Sequence, residues 1–451
     1  MRVVSETGRK SNYLDTVVGG EERLARLARL HFFARYYQGD VYRHAAEWAR
    51  ANGYASSVSP PDIYLNYARF LVDRLASFSF DRAMGVCLHP DSEQVSAESG
   101  DASAQFLERF LHCTRFLSRL TSIARETLLF GDVLLRVQHT PAEAFPITWT
   151  LVPAEEFDYE HDPRDLARIR FVRQEFSYYD DAGARMLHRE ELHRDRFVCY
   201  RDEVVSEALG RIDALALLRT SPWPNPPVLT VELEVPNTFG FIPTVHVRNR
   251  PRPGEKFGES ELADLTALLD DINWKVAQRS RNISKTMNAV LKNVNGRIVS
   301  DQLDDTQIVS VIGDNAQLEY LTNDSDLAPV QIHISELKQA LADLTGVVML
   351  NPDKLTGVGA MSGFALSILY EPLLNAARAK RREIGGRIED FLKMVLVAAA
   401  QLGIVPEDEA HSADPRIIYG PDLQFTEQEK LTGLRRELLA AQHGVSVKNG
   451  T

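Results

Sequence analysis

The densest local group of possible metal ligands lies between residues 158 and 162. Asp158, Glu160, His161 and Asp162 are close in the chain. Two-metal hydrolysis of nucleic acids needs several carboxylates that converge on one site. This group is therefore the candidate for a metal-dependent nucleic-acid-processing enzyme. No nucleophile and base can be assembled beside it, so the sequence favours a solvated acidic turn and predicts no metal, no cofactor and no catalytic residue.

Two further patterns resemble catalytic motifs without their context. His188 and His193 are five residues apart, a spacing that does not align two zinc ligands on one helix face. The triplet 193–195 reads His-Arg-Asp, as in a kinase catalytic loop, but the Asn five residues after the Asp is missing, and so is a DFG motif. The triplet is attributed to chance.

Nucleotide chemistry is also disfavoured by the glycine spacing. Gly357, Gly359 and Gly363 have the wrong spacing for a dinucleotide fingerprint and follow a predicted helix, whereas that fingerprint follows a strand. The pattern G-x-x-x-x-G-K-[ST], which cradles the phosphates of ATP, does not occur. The sequence therefore predicts a protein that does not hydrolyse ATP itself.

Composition narrows the class further. Hydrophobic residues are 44% and charged residues 25% of the 451 residues, as in soluble globular proteins. No apolar stretch is long enough to span a membrane, and the N-terminus has no signal-peptide pattern. Cys87, Cys113 and Cys199 are widely separated, which predicts reduced thiols. The net charge of −12 disfavours tight DNA binding but suits a wall along which DNA slides.

The elements follow an order that is unusual for an enzyme. Helices predominate as far as Phe130, including one predicted over 104–129, and an antiparallel sheet follows up to about residue 250. A helix is then predicted over 259–287, followed by a small β insertion. A second helix is predicted over 335–348. After a Gly- and Pro-containing loop, a very long helix is predicted from Ser362 to Leu402, kinked at Pro372 and at Gly385-Gly386.

Seven short motifs occur in this order and resemble those of the portal proteins of tailed bacteriophages, in the branch typical of siphoviruses. They are Tyr36-Tyr37-Gln38-Gly39-Asp40; Asn66 with Leu71-Val72-Asp73 and Ala76-Ser77-Phe78; Leu128-Leu129-Phe130-Gly131-Asp132; Val152-Pro153 with Glu156-Phe157; Phe239-Gly240-Phe241-Ile242-Pro243; Phe257-Gly258-Glu259-Ser260-Glu261; and Ser362-Gly363-Phe364-Ala365-Leu366. The chain departs from the family in having Ala360-Met361 where Asn is frequent, and in its short C-terminal region.

The resemblance implies an α+β portal fold with an α/β wing, a two-helix stem, a small β-rich clip, a long kinked helix and a short crown. The implied parts are the wing at 1–255, the stem helix at 256–287, the clip at 288–332, the second stem helix at 333–348, the tunnel loop at 349–361, the long wing helix at 362–403 and the crown region at 404–451.

The same resemblance implies a function and partners. The chain would form a ring of about twelve subunits at one capsid vertex, through which double-stranded DNA passes without sequence specificity. Terminase would dock on the clip during packaging, and head-completion or adaptor proteins would replace it. The major capsid and scaffolding proteins are further implied partners, the ring is assembled in the host cytoplasm, and its final location is the virion.

Two groups of site residues follow. The tunnel-loop residues are Asn351, Asp353, Lys354 and Thr356, of which Lys354 is the expected phosphate contact. The residues expected to dock partners on the clip are Asp301, Asp304, Asp305, Asp314 and Glu319. The clip carries seven acids against Lys292 and Arg297, which would repel DNA and attract a basic partner. An ordinary loop and a set of solvated turn residues remain the alternatives, as does another head–tail adaptor ring for the whole chain.

Overall fold

A computed structural model describes most of the chain. The described residues are 21–43, 63–88, 101–141, 145–162, 164–204, 230–287, 290–299, 310–321, 328–348 and 363–420. They belong to two compact units. The first lies within Met1–Gln38, Ala68–Ala263 and Thr345–Thr451, and the second within Gly39–Tyr67 and Asp264–Leu344. Among the described helices, none has the length and apolar character needed to cross a membrane.

The described part of the first unit includes two large antiparallel sheets. The three-stranded sheet has the order β3-β2-β9 and consists of Asp132–His139 (β2), Ile147–Pro153 (β3) and Thr244–Arg248 (β9). The five-stranded sheet has the order β4-β5-β6-β7-β8 and consists of Phe157–Asp162 (β4), Asp165–Tyr179 (β5), Arg185–His193 (β6), Arg196–Val204 (β7) and Val231–Pro236 (β8). The predicted α+β class is confirmed.

A hydrophobic core joins these two sheets, because strand alternation directs every second side chain of each sheet into it. Leu134 of β2 and Val152 of β3 lie in one buried cluster with Val172 of β5 and Leu192 of β6. All four are nearly inaccessible to solvent. Burial of such a side chain stabilises the fold by about 1.5–3 kcal/mol, so this cluster fixes the sheets against each other.

Helices precede the two large sheets, and a glycine follows the last residue of two of them. They are Glu21–Gln38 (α1), Tyr67–Phe80 (α2), Ala102–Thr114 (α3) and Leu120–Phe130 (α4). Gly39 and Gly131 directly follow α1 and α4 and have φ of 85° and 88°, values that glycine adopts freely. A short strand, Ala83–Cys87 (β1), pairs with a C-terminal strand, Arg416–Tyr419 (β14).

The single helix predicted over 104–129 is wrong. The chain leaves α3 at Arg115, which adopts a left-handed conformation with φ 51°, and a short 3-10 turn precedes α4. The backbone N–H of Arg115 bonds to carbonyls of α3, so the break is a regular helix end. No glycine marks it, and the apolar spacing continues through it.

The long helix near the C-terminus is interrupted at one of the two predicted positions. It consists of Gly363–Lys380 (α7), a π-helical turn at Arg381–Gly385 and Gly386–Gln401 (α8). Pro372 lies inside α7, which continues past it. Gly385 is at the end of the π turn, where an added Cβ would be 3.0 Å from the Tyr419 hydroxyl. The expected N-cap, Ser362, is outside the described residues. A short helix, Glu407–Ser412 (α9), precedes β14.

Two long helices and four short strands lie in the described part of the second unit. The helices are Thr266–Met287 (α5) and Ala328–Thr345 (α6). Val290–Val294 (β10) pairs with Gln317–Leu321 (β13), and Arg297–Val299 (β11) pairs with Ser310–Ile312 (β12). The predicted start of the first helix at residue 259 is wrong, because residues 261–265 form turns. The predicted order of helix, β insertion and helix is confirmed.

Candidate functional site

Most residues predicted to contact DNA or partners lie outside the described part of the chain. Asn351, Asp353, Lys354 and Thr356 lie outside the described residues, and so do Asp301, Asp304 and Asp305. Two clip residues remain. Asp314 is exposed in the turn between β12 and β13. Glu319 is opposite Lys292 in the antiparallel pairing of β13 with β10. The roles assigned to these residues stay predictions.

The acidic segment at 158–162 is a strand, so its interpretation as a turn is wrong. It forms β4, which pairs with β5 along the edge of the five-stranded sheet. Asp158 forms an ion pair with Lys256, and Glu160 lies 3.4 Å from the guanidinium of Arg170. Asp158 and Glu160 thus each have a cation of their own. Burial lowers the pKa of the neighbouring His161, which favours its neutral form.

The two histidines at positions 188 and 193 each pair with a nearby carboxylate. His188 and His193 both lie on β6, where His188 Nδ1 is 2.9 Å from Asp202 and His193 Nε2 is 3.1 Å from Glu191. Within the described ranges, no three His, Cys, Asp or Glu side chains are arranged to hold a metal ion. The three cysteines are unpaired thiols.

Two of the sequence motifs and the long helix meet at one polar cluster, which we call the Asp132 joint. It comprises Arg26, Gly131, Asp132, His246, Asn249, Gly258 and Lys380, all within the first unit. Its members come from α1, the α4–β2 connection, β9, the segment before α5 and the end of α7. The joint is a meeting point of elements far apart in sequence.

Two glycines allow the backbones at this joint to touch. A Cβ on Gly258 would lie 2.3 Å from the Gly131 carbonyl oxygen and 2.4 Å from the Asn249 carbonyl oxygen. A Cβ on Gly131 would lie 2.8 Å from the carbonyl oxygen of Gly258. These approaches are too close for any side chain. The backbone N–H of Asn249 donates to the Gly131 carbonyl at 2.8 Å, and Glu259 N–H donates to that of Asn249 at 2.9 Å.

Asp132 supplies the central acceptor of the joint. Its side chain is 2% exposed, and Oδ1 accepts hydrogen bonds from His246 Nε2 and from the backbone N–H of Gly258, both at 2.8 Å. The guanidinium of Arg26 lies 3.8 Å from Oδ2 and covers the Phe257 ring at 3.7 Å from its centroid. A buried carboxylate with a cation and two donors is well compensated.

His246 is held as a neutral donor. Burial lowers its pKa, and the hydrogen bond with Asp132 only partly opposes this effect. The rings of Phe157, Tyr159 and Phe257 surround its imidazole with centroid separations of 5.3, 5.2 and 6.1 Å. An Asp–His pair can relay protons only where substrate reaches it. Here aromatic rings enclose the pair, so its geometry suits a fixed structural joint.

Lys380 ties the long helix to the same joint. Its ammonium donates to Asn249 Oδ1 at 2.7 Å and forms an ion pair with Glu261. Asn249 Nδ2 donates to the Glu259 carbonyl at 2.7 Å. The lysine is only 8% exposed and immediately precedes the π-helical turn. A movement of the 257–261 segment would therefore disturb a buried charge on the long helix.

The first two motifs also meet, through a second hydrogen-bonded group. Tyr37 donates to Asp73 Oδ1 at 2.7 Å, and Arg125 Nε donates to the same oxygen at 2.7 Å. Burial, with the bond to Asp73, raises the pKa of Tyr37 to about 12. Sequence reasoning treated both motifs as markers only. Arg26, His246, Asn249 and Lys380 were missed, although a single charged residue in an apolar pattern was a usable signal.

A family comparison matches nearly the whole described region. The model of the family described as "Phage portal protein, SPP1 Gp6-like" matches residues 21–410. The chain belongs to this phage portal family. Portal proteins are structural rather than enzymatic, in keeping with the enclosed Asp–His pair of this portal chain. The predicted resemblance is confirmed.

Solved structures similar to this portal chain come from gene transfer agent particles. One is a chain of the neck of an empty particle, computed with C6 symmetry, at 11% identity and a TM-score of 0.40. Another belongs to the virion of a native particle, at 12% identity and a TM-score of 0.36. Each comparison covers 85% of this chain and 87% of the other. No curated protein sequence matches the portal chain.

Proposed function

We propose that this chain forms the portal ring of a tailed phage or phage-like particle. The ring, of about twelve subunits, would occupy one capsid vertex and form the channel through which DNA is packaged and ejected. Membership of the portal family over residues 21–410 carries this proposal. The terminase large subunit and head-completion proteins would dock in turn on the clip, 288–332, and the ring would assemble with the major capsid and scaffolding proteins in the host cytoplasm before it becomes part of the virion.

The charge of the chain fits a conduit. A net charge of −12 disfavours persistent binding of DNA phosphates, and a channel wall must release DNA as it moves. We assign transient contact to the tunnel loop at 349–361, through Asn351, Asp353, Lys354 and Thr356. We assign partner docking to the clip acids Asp301, Asp304, Asp305, Asp314 and Glu319.

The ring is tested by co-producing the chain with its major capsid and scaffolding proteins. Native mass spectrometry and negative-stain microscopy should find a closed ring of about a dozen subunits with a channel wide enough for duplex DNA. A chain that stays monomeric or dimeric in the presence of both proteins would refute the proposal.

The tunnel loop is tested by Lys354→Ala, with Arg382→Ala as the control, since Arg382 is an exposed cation on the π-helical turn. Removing the loop cation should reduce the amount of DNA packaged per particle while ring assembly stays normal. The Arg382 variant should package normally. Loss of ring assembly in the Lys354 variant would show that the loop is not a channel element.

A further inference from the structure

Three exposed arginines lie on α3 and in the 3-10 turn that follows it. Arg109 is on the helix, Arg115 follows its last residue and Arg119 ends the turn. No carboxylate within the described ranges forms an ion pair with any of them. Other exposed arginines of the first unit, among them Arg170 and Arg416, do pair with carboxylates. We call the three residues the arginine surface.

The chain around two of these arginines restricts their freedom. The backbone N–H of Arg115 bonds to carbonyls of α3, and its φ of 51° is unfavourable for a residue other than glycine. Strain of this kind is found where a side chain has a function. Arg119 holds its guanidinium 5.4 Å from the ring centroid of Trp149, on β3. Cations restricted in this way lose little conformational freedom when they bind an anion.

The surface around the arginines is polar. Within the described residues 102–122, no aliphatic or aromatic side chain is exposed, and the rings of Phe106, Phe110 and Phe116 are buried. Protein partners bind mainly through a desolvated apolar or aromatic centre, which this surface does not offer. Contact with phosphate needs only cations and hydrogen-bond donors. The composition of the surface therefore favours a phosphate ligand over a protein.

Duplex DNA has the charge and the spacing that this surface requires. It carries one negative charge per about 1.7 Å of its axis, and a guanidinium binds phosphate in a bidentate manner. Arg109 and Arg115 are six residues apart, about 9 Å along a helix, so they reach different phosphates. Two acids lie close by: Glu108 is exposed on α3, and Asp81 is 3.4 Å from the hydroxyl of Thr121. They keep the attraction weak.

We propose that the arginine surface binds the phosphates of duplex DNA without sequence specificity. The choice of DNA as the ligand rests on the proposed function. This surface is a second DNA contact, besides the tunnel loop. The net charge of −12 and the two nearby acids keep the contact transient and sensitive to salt, as the movement of DNA requires.

The contact is measured by fluorescence anisotropy of a short labelled duplex of mixed sequence, titrated with the full chain at several salt concentrations. The logarithm of the association constant should fall against the logarithm of the salt concentration with a slope of about −3, for three phosphate contacts. The neutral variant, Arg109→Gln with Arg115→Gln and Arg119→Gln, should bind about tenfold more weakly or worse at low salt and lose this slope. Each single substitution should reduce the slope by about 1.

Three further variants separate charge from structure. The charge-keeping variant, with lysine at the same three positions, should retain the slope, because a lysine is also a cation for phosphate. Glu108→Gln should tighten binding, because it removes a repelling charge. Arg201→Gln is the matched control: Arg201 is exposed on β7 and is followed by two acidic residues, so its loss should change neither affinity nor slope. Circular dichroism and thermal melts establish that each variant is folded.

Two results of these titrations overturn the proposal. One is a neutral variant that binds DNA with the affinity and slope of the parent chain. The other is an equal loss of slope in the neutral and charge-keeping variants while both melt as the parent does, because charge is then not what binds the duplex.

Assembly with capsid and scaffolding proteins distinguishes this proposal from the proposed ring. If the neutral variant binds DNA normally but enters capsids poorly, the surface binds a protein and the proposal is wrong. If rings form and package DNA while the three substitutions leave DNA binding unchanged, only this proposal fails. If the unmodified chain forms no ring, yet the substitutions abolish its DNA binding, the ring is refuted and the arginine surface is supported.

Discussion

The Asp132 joint and the hairpins of the second unit carry polar groups under opposite conditions. Asp132 has a side chain that is 2% exposed, and it accepts two hydrogen bonds from residues far away in sequence. In the second unit, Ile312 at the end of β12 is 66% exposed, and Asp314 in the turn before β13 is also exposed to solvent. The first carboxylate is fixed by its surroundings, whereas the second is surrounded by water.

This difference separates sequence motifs whose residues are required by packing from exposed regions whose residues can change without loss of stability. At the joint, space and burial dictate glycine at position 258 and an acceptor at position 132. An exposed turn imposes no comparable demand, because water satisfies whichever polar group is present. The segments that identify the family are therefore constrained by packing, and the exposed hairpins are where a partner surface can vary.

The sharpest way to break the joint is Gly258→Ala. The new Cβ would lie 2.3 Å from one carbonyl oxygen and 2.4 Å from another, so both backbones must separate. Forced overpacking of this kind typically costs about 1–3 kcal/mol, and the loss of adjoining hydrogen bonds adds to it. Urea denaturation should show the largest loss of unfolding free energy in the set.

Gly386→Ala is the matched control for this substitution. No atom lies within 4 Å of the Cβ position, and Gly386 has helical φ and ψ of −58° and −38°. Alanine should therefore stabilise the helix by about 0.5–1 kcal/mol. Equal destabilisation by the two alanines would mean that close backbone contact is not what makes glycine necessary at the joint.

The substitutions Asp132→Asn and Asp314→Asn compare a buried carboxylate with an exposed one. The amide keeps the shape but removes the charge that faces Arg26 and weakens the acceptor for His246. Because Asn keeps an acceptor for the Gly258 N–H, the substitution should cost about 1.5–3 kcal/mol, the usual net value of hydrogen bonds to a charged group. Asp314→Asn, in the exposed turn, should stay within about 0.5 kcal/mol of the parent chain. Similar melting temperatures for the two variants would contradict the comparison.

Strands with strong apolar patterns were predictable. The apolar patterns predict strands over Ile147–Val152, Arg196–Tyr200 and Thr244–Val247, and β3, β7 and β9 begin at the same first residues. Their alternating or apolar residues face a core that any antiparallel sheet would require. The glycine motifs also marked real chain reversals, since Gly39 and Gly131 have positive φ.

The errors occurred where distant residues decide the outcome. The acidic residues of β4 are typical of a turn in the sequence alone. In the structure, Asp158 pairs with Lys256, which is distant in sequence, and Glu160 pairs with Arg170 on the next strand. No glycine marks the helix end at Arg115, and the helical spacing of apolar residues continues past it, so the sequence indicates one helix. The Asp132 joint combines residues 26 to 380, and no local pattern joins positions so far apart.

The pH dependence of stability tests whether His246 is a buried neutral donor. Because burial lowers its folded pKa below 6.5, the unfolded chain binds the proton first as the pH falls. Its contribution is complete above about pH 6.5 and is lost as the pH falls towards the folded pKa. Asp132 and Arg26, with Arg248, are the charged groups that act on this ring.

The measurement is the urea midpoint of the parent chain and of His246→Gln across this window. Protonation of the carboxylates should affect both proteins alike. The parent chain should therefore lose stability on acidification more steeply than the variant, because only the parent has the imidazole of His246. His31→Gln, an exposed histidine on α1, is the control and should keep the parent slope. Parallel slopes for the parent and the His246 variant would mean that this imidazole is not buried in the neutral form.

Two tyrosines give the smallest and most local comparison, because each bonds to an aspartate within its own unit. Tyr37 donates to Asp73 in the first unit, and Tyr42 donates to Asp270 in the second. Replacing either by Phe should cost about 0.5–1.5 kcal/mol, the usual net value of one hydrogen bond. Hydrogen exchange should show each loss only in the amides of the affected unit. Loss of protection in both units from either variant would mean that the two units unfold as one, which would contradict this expectation.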